Sequence, residues 1–398
     1  MSAPVFNDTR VPGTKIRTEI QTTTLVQADN SLVLIGHAAV GGGTATIGHP
    51  ISISNFGDPV KALAECAAAF GSGSEIGSMV VAAINGVLGS TLQSISYPPI
   101  VCIPIASTDT SANLAATLAS LLTIPLPFVA LCYPGTDSVA MLAIKNHLTL
   151  ISGEDRGRLG QFGSFGFMAV SSATAVATPV GLAGASQNLL FPWLLDSAST
   201  PANSIPAIAS ATAAVCAANG VPYNPLTDVH VGGLVPPVSP QDWHTPGSTG
   251  TEVLGLNAGL LPLMVNADTS IGISRAVTSF RPDSATLQPA YFDLQDWEGL
   301  YYFRTNCYAI CQQPQFKLAK ASDQKAAALN SEFLRIAKDL EALEIFQHVD
   351  KLAGQFVYSR SLTNRSAFVF SCPVNVVPGF YNKDVDIIGT TAFDTVVA

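Results

Sequence analysis

Charge is what this sequence has least of. Only 12% of its 398 residues are Asp, Glu, Lys or Arg, about half the usual share in a soluble globular chain. The mean hydropathy of +0.35 is correspondingly high. A chain so poor in ionised side chains cannot coat its surface with them, which points to extensive burial between subunits. The charge that exists is acidic on balance, −9 net, and no run of Lys and Arg is dense enough for multiple phosphate contacts, so direct nucleic-acid binding is not expected.

The local signatures of chemistry are missing as well. No GxSxG elbow, HExxH pair or CxxC motif occurs, which removes the usual short marks of hydrolases, zinc proteases and dithiol redox proteins. Gly41–Gly43 and Gly71-Ser72-Gly73 fit neither the P-loop nor the dinucleotide fingerprint and read as turns. Cys307 and Cys311, four apart, would share a helix face and offer two metal ligands, but no His or second Cys pair lies near them in sequence, so no metal or other cofactor is expected. His37, His49, His147, His230, His244 and His348 are scattered and read as structural residues. A Ser-His-Asp triad assembled in space leaves a cytosolic α/β enzyme as the alternative reading.

Long uninterrupted apolar runs are lacking too. An uncharged apolar stretch, Ala112–Cys132, contains Pro125 and Pro127, which break the helix a membrane span would need, so stable membrane insertion is not expected. Met1–Arg10 has neither the basic start nor the apolar core of a secretory signal, and the seven cysteines show no paired spacing, so the reducing cytoplasm is the expected compartment.

What is present divides the chain, whose length suits about two or three domains. Near the start, Ile16, Thr18, Ile20, Thr22 and Thr24 fall on one side of a strand, with Lys15, Arg17, Glu19 and Gln21 on the other. From Ser31 apolar runs alternate with Ala-rich segments, the pattern of βα units and a parallel sheet. Helices are expected near Val60–Phe70, Ile76–Leu88, Ala112–Leu122, Val139–Ile151, Ile205–Asn219 and Leu294–Cys311. Strands are expected near Leu32–Gly36, Ile100–Ile105, Phe128–Tyr133, Phe167–Ser171, Leu260–Val265 and Ile271–Thr278. Pro236–Gly250, dense in Pro, Gly and Ser, marks a seam.

The last quarter carries the long amphipathic helix. After Ser322, suited to an N-cap, Leu329, Phe333, Ile336, Leu340 and Leu343 recur at four- and three-residue steps, while Lys325, Glu332, Arg335, Asp339 and Glu341 fill the rest. Gln355–Ser359 and Ala367–Ser371 then read as two short strands around a turn at Thr363–Asn364. Beyond Pro373, Val385 and Ile387 alternate with Asp384 and Asp386, a strand with no local partner that mirrors the one at the N-terminus.

Thr9-Arg10-Val11-Pro12-Gly13 and the stretch Thr251–Phe280, with Glu252, Asn257, Leu260–Leu261 and the run from Ser274 to Phe280, resemble the contractile tail sheath proteins of phages, R-type pyocins and related injection machines. The resemblance spans nearly the whole length. One departure stands out, since Pro262-Leu263 occupies the place of the family's usual glycine-isoleucine. The resemblance implies an N-terminal arm over 1–30 and an outer α/β insertion domain over 31–254, a parallel sheet with flanking helices. An α+β C-terminal core domain near the tube over 255–372 and a C-terminal arm over 373–398 complete it. The family's α/β part is called subtilisin-like, and no protease activity follows from the name.

The implied function is structural and non-enzymatic. Subunits stack as six-fold rings around a tail tube in the virion tail, assembled in the host bacterial cytoplasm, and contract to drive the tube through the target envelope during genome ejection. Partners are other copies of the chain, the tube protein, and baseplate and tail terminator proteins. The family's arms add strands to neighbouring subunits, a role that falls here on Ile16, Thr18, Ile20, Val385 and Ile387. The basic residues Lys317, Lys320 and Lys325 are expected to face an acidic tube, with a plain solvated face as the alternative.

Overall fold

The computed structural model describes residues 31–122, 130–135, 138–151, 165–167, 186, 188–194, 202–219, 224–237, 252, 255–256, 259–279, 293–362 and 367–377. Its centre is a six-stranded sheet formed by β1 (Leu32–His37), β2 (Ile51–Ile53), β3 (Ile100–Ile105), β4 (Ala130–Cys132), β5 (Phe165–Phe167) and β6 (Leu189–Leu190), in the order β2-β3-β1-β4-β5-β6. All neighbours pair in parallel except β2, which runs antiparallel to β3 at the edge.

The unbroken apolar run of β1 follows from this position. Leu32 and Leu34 enter one hydrophobic core and Val33 and Ile35 the other, because successive side chains of a strand point to opposite faces and both faces here are covered. The first core is closed by α1 (Pro59–Phe70), α2 (Glu75–Leu88) and α5 (Ile205–Ala218), the second by α3 (Ser111–Leu121) and α4 (Ser138–Ile151). Capping side chains start several of these helices. Asp58 Oδ1 accepts from the backbone N–H groups of Val60 and Lys61 at 3.1 Å each, and Ser74 and Ser204 cap α2 and α5.

Small residues set how closely the layers approach. A Cβ placed on Gly86 of α2 would lie 2.8 Å from the Ala211 carbonyl oxygen of α5, so these helices meet backbone to backbone. The two glycine runs have a packing role. The loop after β1 wraps the end of α1, with Ala39, Thr44 and Ala45 N–H groups donating to the carbonyls of Phe70, Ala68 and Ala69 at 2.8, 3.3 and 2.9 Å. Gly43, at φ +88°, must be glycine there, since a Cβ would sit 2.1 Å from the Ala69 oxygen. These loop N–H groups satisfy helix-end carbonyls.

A three-stranded sheet extends the α/β part: β7 (Pro192–Trp193) pairs in parallel with β8 (Leu261–Val265), which pairs antiparallel with β9 (Ile271–Ile273). The strand through Pro262-Leu263 therefore forms in spite of the proline. Against the expectation of a strand reaching Thr278, the ladder with β8 stops at Ile273, and beyond it the backbone takes other partners: Leu294 N–H donates to the Ala276 carbonyl and Ser279 N–H to the Leu189 carbonyl, while the Ser274 hydroxyl bonds Glu252 and the Arg275 guanidinium Asp293. Leu261, Leu263, Ile271, Ile273, Leu294 and Trp297 all join the first core, and the third hydrophobic cluster begins at Phe303. The packing thus changes over within α6 (Leu294–Cys311).

Beyond it come α7 (Pro314–Lys317), α8 (Asp323–Glu341), α9 (Val349–Leu352) and the antiparallel strands β10 (Val357–Arg360) and β11 (Phe368–Ser371). Ser322 caps α8 by accepting from Lys325 N–H at 3.3 Å. Phe333, Ile336 and Leu340 are buried as the stripe requires, and Arg335 pairs with Glu332 and Asp339 at 2.9 and 2.6 Å on the outer side. Leu343 departs from the expectation. The helix ends at Glu341, the chain turns, and Leu343 stands 42% exposed.

Candidate assembly surface

The strands β10 and β11 form a sheet of two, and among the described residues no third strand pairs with either. Their faces differ. Phe370 packs edge-on against Phe333 of α8 with centroids 5.2 Å apart, and Tyr358 lies beside both Phe368 and Phe370. On the other face Val357 and Val369 are 53% and 58% exposed. Sheet edges with free N–H and C=O groups, next to exposed β-branched side chains, are templates for a further strand.

The chain is then steered away from this sheet. Val377 N–H donates to the Ile345 carbonyl and Gln347 N–H to the Asn375 carbonyl, both at 2.9 Å, while Val374 and Val376 pack on the third cluster. The sequence reading missed this tether; the apolar alternation at Val374 and Val376 was its only local signal. The arm residues Ile16, Thr18, Ile20, Val385 and Ile387 lie outside the described residues, as do His244, Asn257, Gly220 and the turn at Thr363–Asn364.

Lys317 closes α7, Lys320 lies in the link, and Lys325 is in the first turn of α8; all three are exposed, and none is in an ion pair among the described residues. Leu318, 82% exposed, projects between them. The structure therefore gathers the three lysines on one connection. Beside it, Arg360 of β10 reaches Asp323 at 2.9 Å and lies 4.6 Å over the Phe368 ring, fastening the strand pair to the start of α8.

Among the described residues, two histidines lie beside carboxyl or hydroxyl groups. His37 Nδ1 is 2.5 Å from Glu75 Oε2, but its Nε2 faces the Asp109 carbonyl at 3.1 Å, where a nucleophilic hydroxyl would have to be. Ser270 Oγ lies 3.2 Å from His230 Nε2, yet it donates to Asp268 Oδ1 at 2.5 Å, so the carboxylate holds the serine and not the imidazole. Cys307 and Cys311 pack into the third cluster near Cys372. Burial pushes all three thiols up, Cys372 to about 11, which keeps them protonated and poor as ligands or nucleophiles.

No family model and no curated protein matches the sequence. Solved structures do. The helical sheath of the anti-feeding prophage in its contracted state is similar with a TM-score of 0.60 at 12% identity, covering 96% of this chain and 100% of that one. The chain has the contractile-sheath fold. Two further sheath folds agree: a sheath tail protein from Desulfitobacterium hafniense at TM-score 0.57 and 11% identity, over 92% of this chain and 97% of that one, and another from Listeria innocua at 0.59 and 9%, over 89% and 94%. The sheath likeness spans nearly the whole chain. Among the described residues no helix of this sheath fold is long and apolar enough to cross a membrane.

Proposed function

We propose that the chain is a structural subunit of a contractile tail sheath. Copies stack as six-fold rings around a tail tube, held by strands that the terminal arms donate to neighbouring subunits, and the lattice contracts to drive the tube through a target envelope. The observation that carries this reading is the end-to-end likeness to a contracted sheath, 96% of this chain against 100% of that one. The two open edges of β10–β11, beside exposed Val357 and Val369, support the receiving half of strand donation.

The other expectations follow the same reading. The subunit acts without enzymatic chemistry or a cofactor, assembles in the host bacterial cytoplasm, and works in the virion tail with tube, baseplate and terminator proteins. The outer α/β part, from about residue 31, and the helical part built on α8 divide the labour between the outside of the sheath and the tube. Negative-stain electron microscopy of purified protein tests the reading: tubes or stacked rings are expected, and uniform small particles under every condition would sink it.

A further inference from the structure

Among the described residues, the junction between the α/β part and the helical part brings two buried carboxyls to one guanidinium. Arg275, just after β9, grips Asp293, just before α6, with both arms of its guanidinium: Nε to Oδ1 and Nη2 to Oδ2, each 2.7 Å. The same residues are tied by backbone, since Val277 and Asp293 form an antiparallel bridge and Leu294 N–H donates to the Ala276 carbonyl at 2.9 Å. One helical turn on, Asp296 is 2% exposed and its Oδ1 has no hydrogen-bond partner among the described residues. One guanidinium therefore faces two buried carboxyls, and its Nε and Nη2 are both directed at the first.

We propose that Arg275, Asp293 and Asp296 form a proton-gated latch on this junction: with Asp296 protonated the trio is neutral and holds α6 against the exit of β9, and with Asp296 ionised an uncompensated buried negative charge loosens the contact. The cost of burying an unpaired carboxylate is what makes the second state open. Among the described residues the charged groups facing Asp296 are Asp293 and Arg275; Glu252 is held at Ser274, and Glu298, on the other side of α6, faces Cys216 of α5. Burial raises Asp296 to about 7, with Asp293 adding to the rise and Arg275 opposing it. Burial alone pushes Glu298 up. A carboxyl raised in the closed state favours closure fully below its ordinary value of 3.8, and that advantage is lost as pH rises through about 7. The latch concerns one subunit and holds whether or not the chain polymerises.

The readout is the Leu294 amide, whose hydrogen bond to Ala276 spans the junction. In the full-length chain, hydrogen exchange of a peptide containing Leu294, corrected for the intrinsic rate, is followed between about pH 6 and about pH 8. A carboxyl titrating near 7 when closed and near 3.8 when open raises the open fraction about tenfold over that range. Asp296→Asn should flatten this dependence and Glu298→Gln should keep it. A flat wild-type profile overturns the latch even if neither variant folds. So does an unchanged slope in Asp296→Asn, or a slope abolished by Glu298→Gln alone.

Discussion

Replacing Phe333 with alanine should release the β10–β11 pair while leaving the α/β part intact. Phe333 is buried in the third cluster and is the α8 residue against which Phe370 stacks at 5.2 Å. Deleting a buried Phe side chain costs about 3–5 kcal/mol, of which the edge-to-face pairing is about 0.5–1.5. A two-stranded sheet has little stability of its own, so a loss of that size falls on the contact that holds it. None of it falls on the first two cores, which Phe333 does not join. Hydrogen exchange should show protection over Val357–Arg360 and Phe368–Ser371 dropping by on the order of 100-fold or more, at about 1.4 kcal/mol per tenfold, with β3 at Ile100–Ile105 unchanged. Equal loss in β3, or no loss in β10–β11, would refute the separation of cores. A double-mutant cycle with Phe370→Leu should return a coupling of about 0.5–1.5 kcal/mol.

Gly86→Ala should lower Tm in a thermal melt: the helix gains about 1 kcal/mol of propensity, but a methyl 2.8 Å from a backbone oxygen cannot rotate away and costs about 1–3 kcal/mol; a higher Tm would contradict the close contact of α2 and α5. Reversing Lys317, Lys320 and Lys325 to Glu together should weaken co-assembly with the tube at low salt, each exposed pair being worth only about 0–1 kcal/mol; unchanged co-sedimentation with tubes leaves a solvated face. Deleting 383–398, or changing Val385 and Ile387 to Asp, should give folded monomers that cannot polymerise. Ordering an arm costs about 1–2 kcal/mol per residue, more than the roughly 0.5–1.5 of a backbone hydrogen bond returns, so buried apolar side chains at about 1.5–3 kcal/mol each must make the difference. Normal sheaths seen by electron microscopy from either variant would refute strand donation.

Elements with a local signal were legible in the sequence. Ser322 and the spacing of Phe333, Ile336 and Leu340 located α8 because capping and periodicity act within a few residues. The same periodicity overran at Leu343, since nothing in an apolar repeat announces where the backbone turns. The strands Ile51–Ile53, Leu189–Leu190 and Pro192–Trp193 went unnoticed, being too short to show a period; their pairing is supplied by distant partners such as Leu261. The glycine runs read as turns, but the residues flanking Gly41–Gly43 donate to carbonyls of a helix two dozen or so positions away in the chain. At the candidate surface, the lysines and the strand pair were visible in sequence, whereas the Arg275–Asp293 grip, joining residues across a gap that carries no periodic signal, was visible only in space.

The helix α5 has a consequence for how this protein tolerates change. All eleven residues from Ile208 to Ala218 are buried, because the sheet, α2 and the start of α6 surround the helix. A surface helix under random substitution shows a permissive position every three or four residues, where a side chain reaches water. Here that rhythm vanishes: alanines at 209, 211, 213, 214, 217 and 218 are held small by neighbours all round, and an added methylene has no outward direction to take. In a saturation scan the segment should appear as one continuous intolerant band, with sequence drift confined to the sparsely charged outer surfaces of α1 and α4.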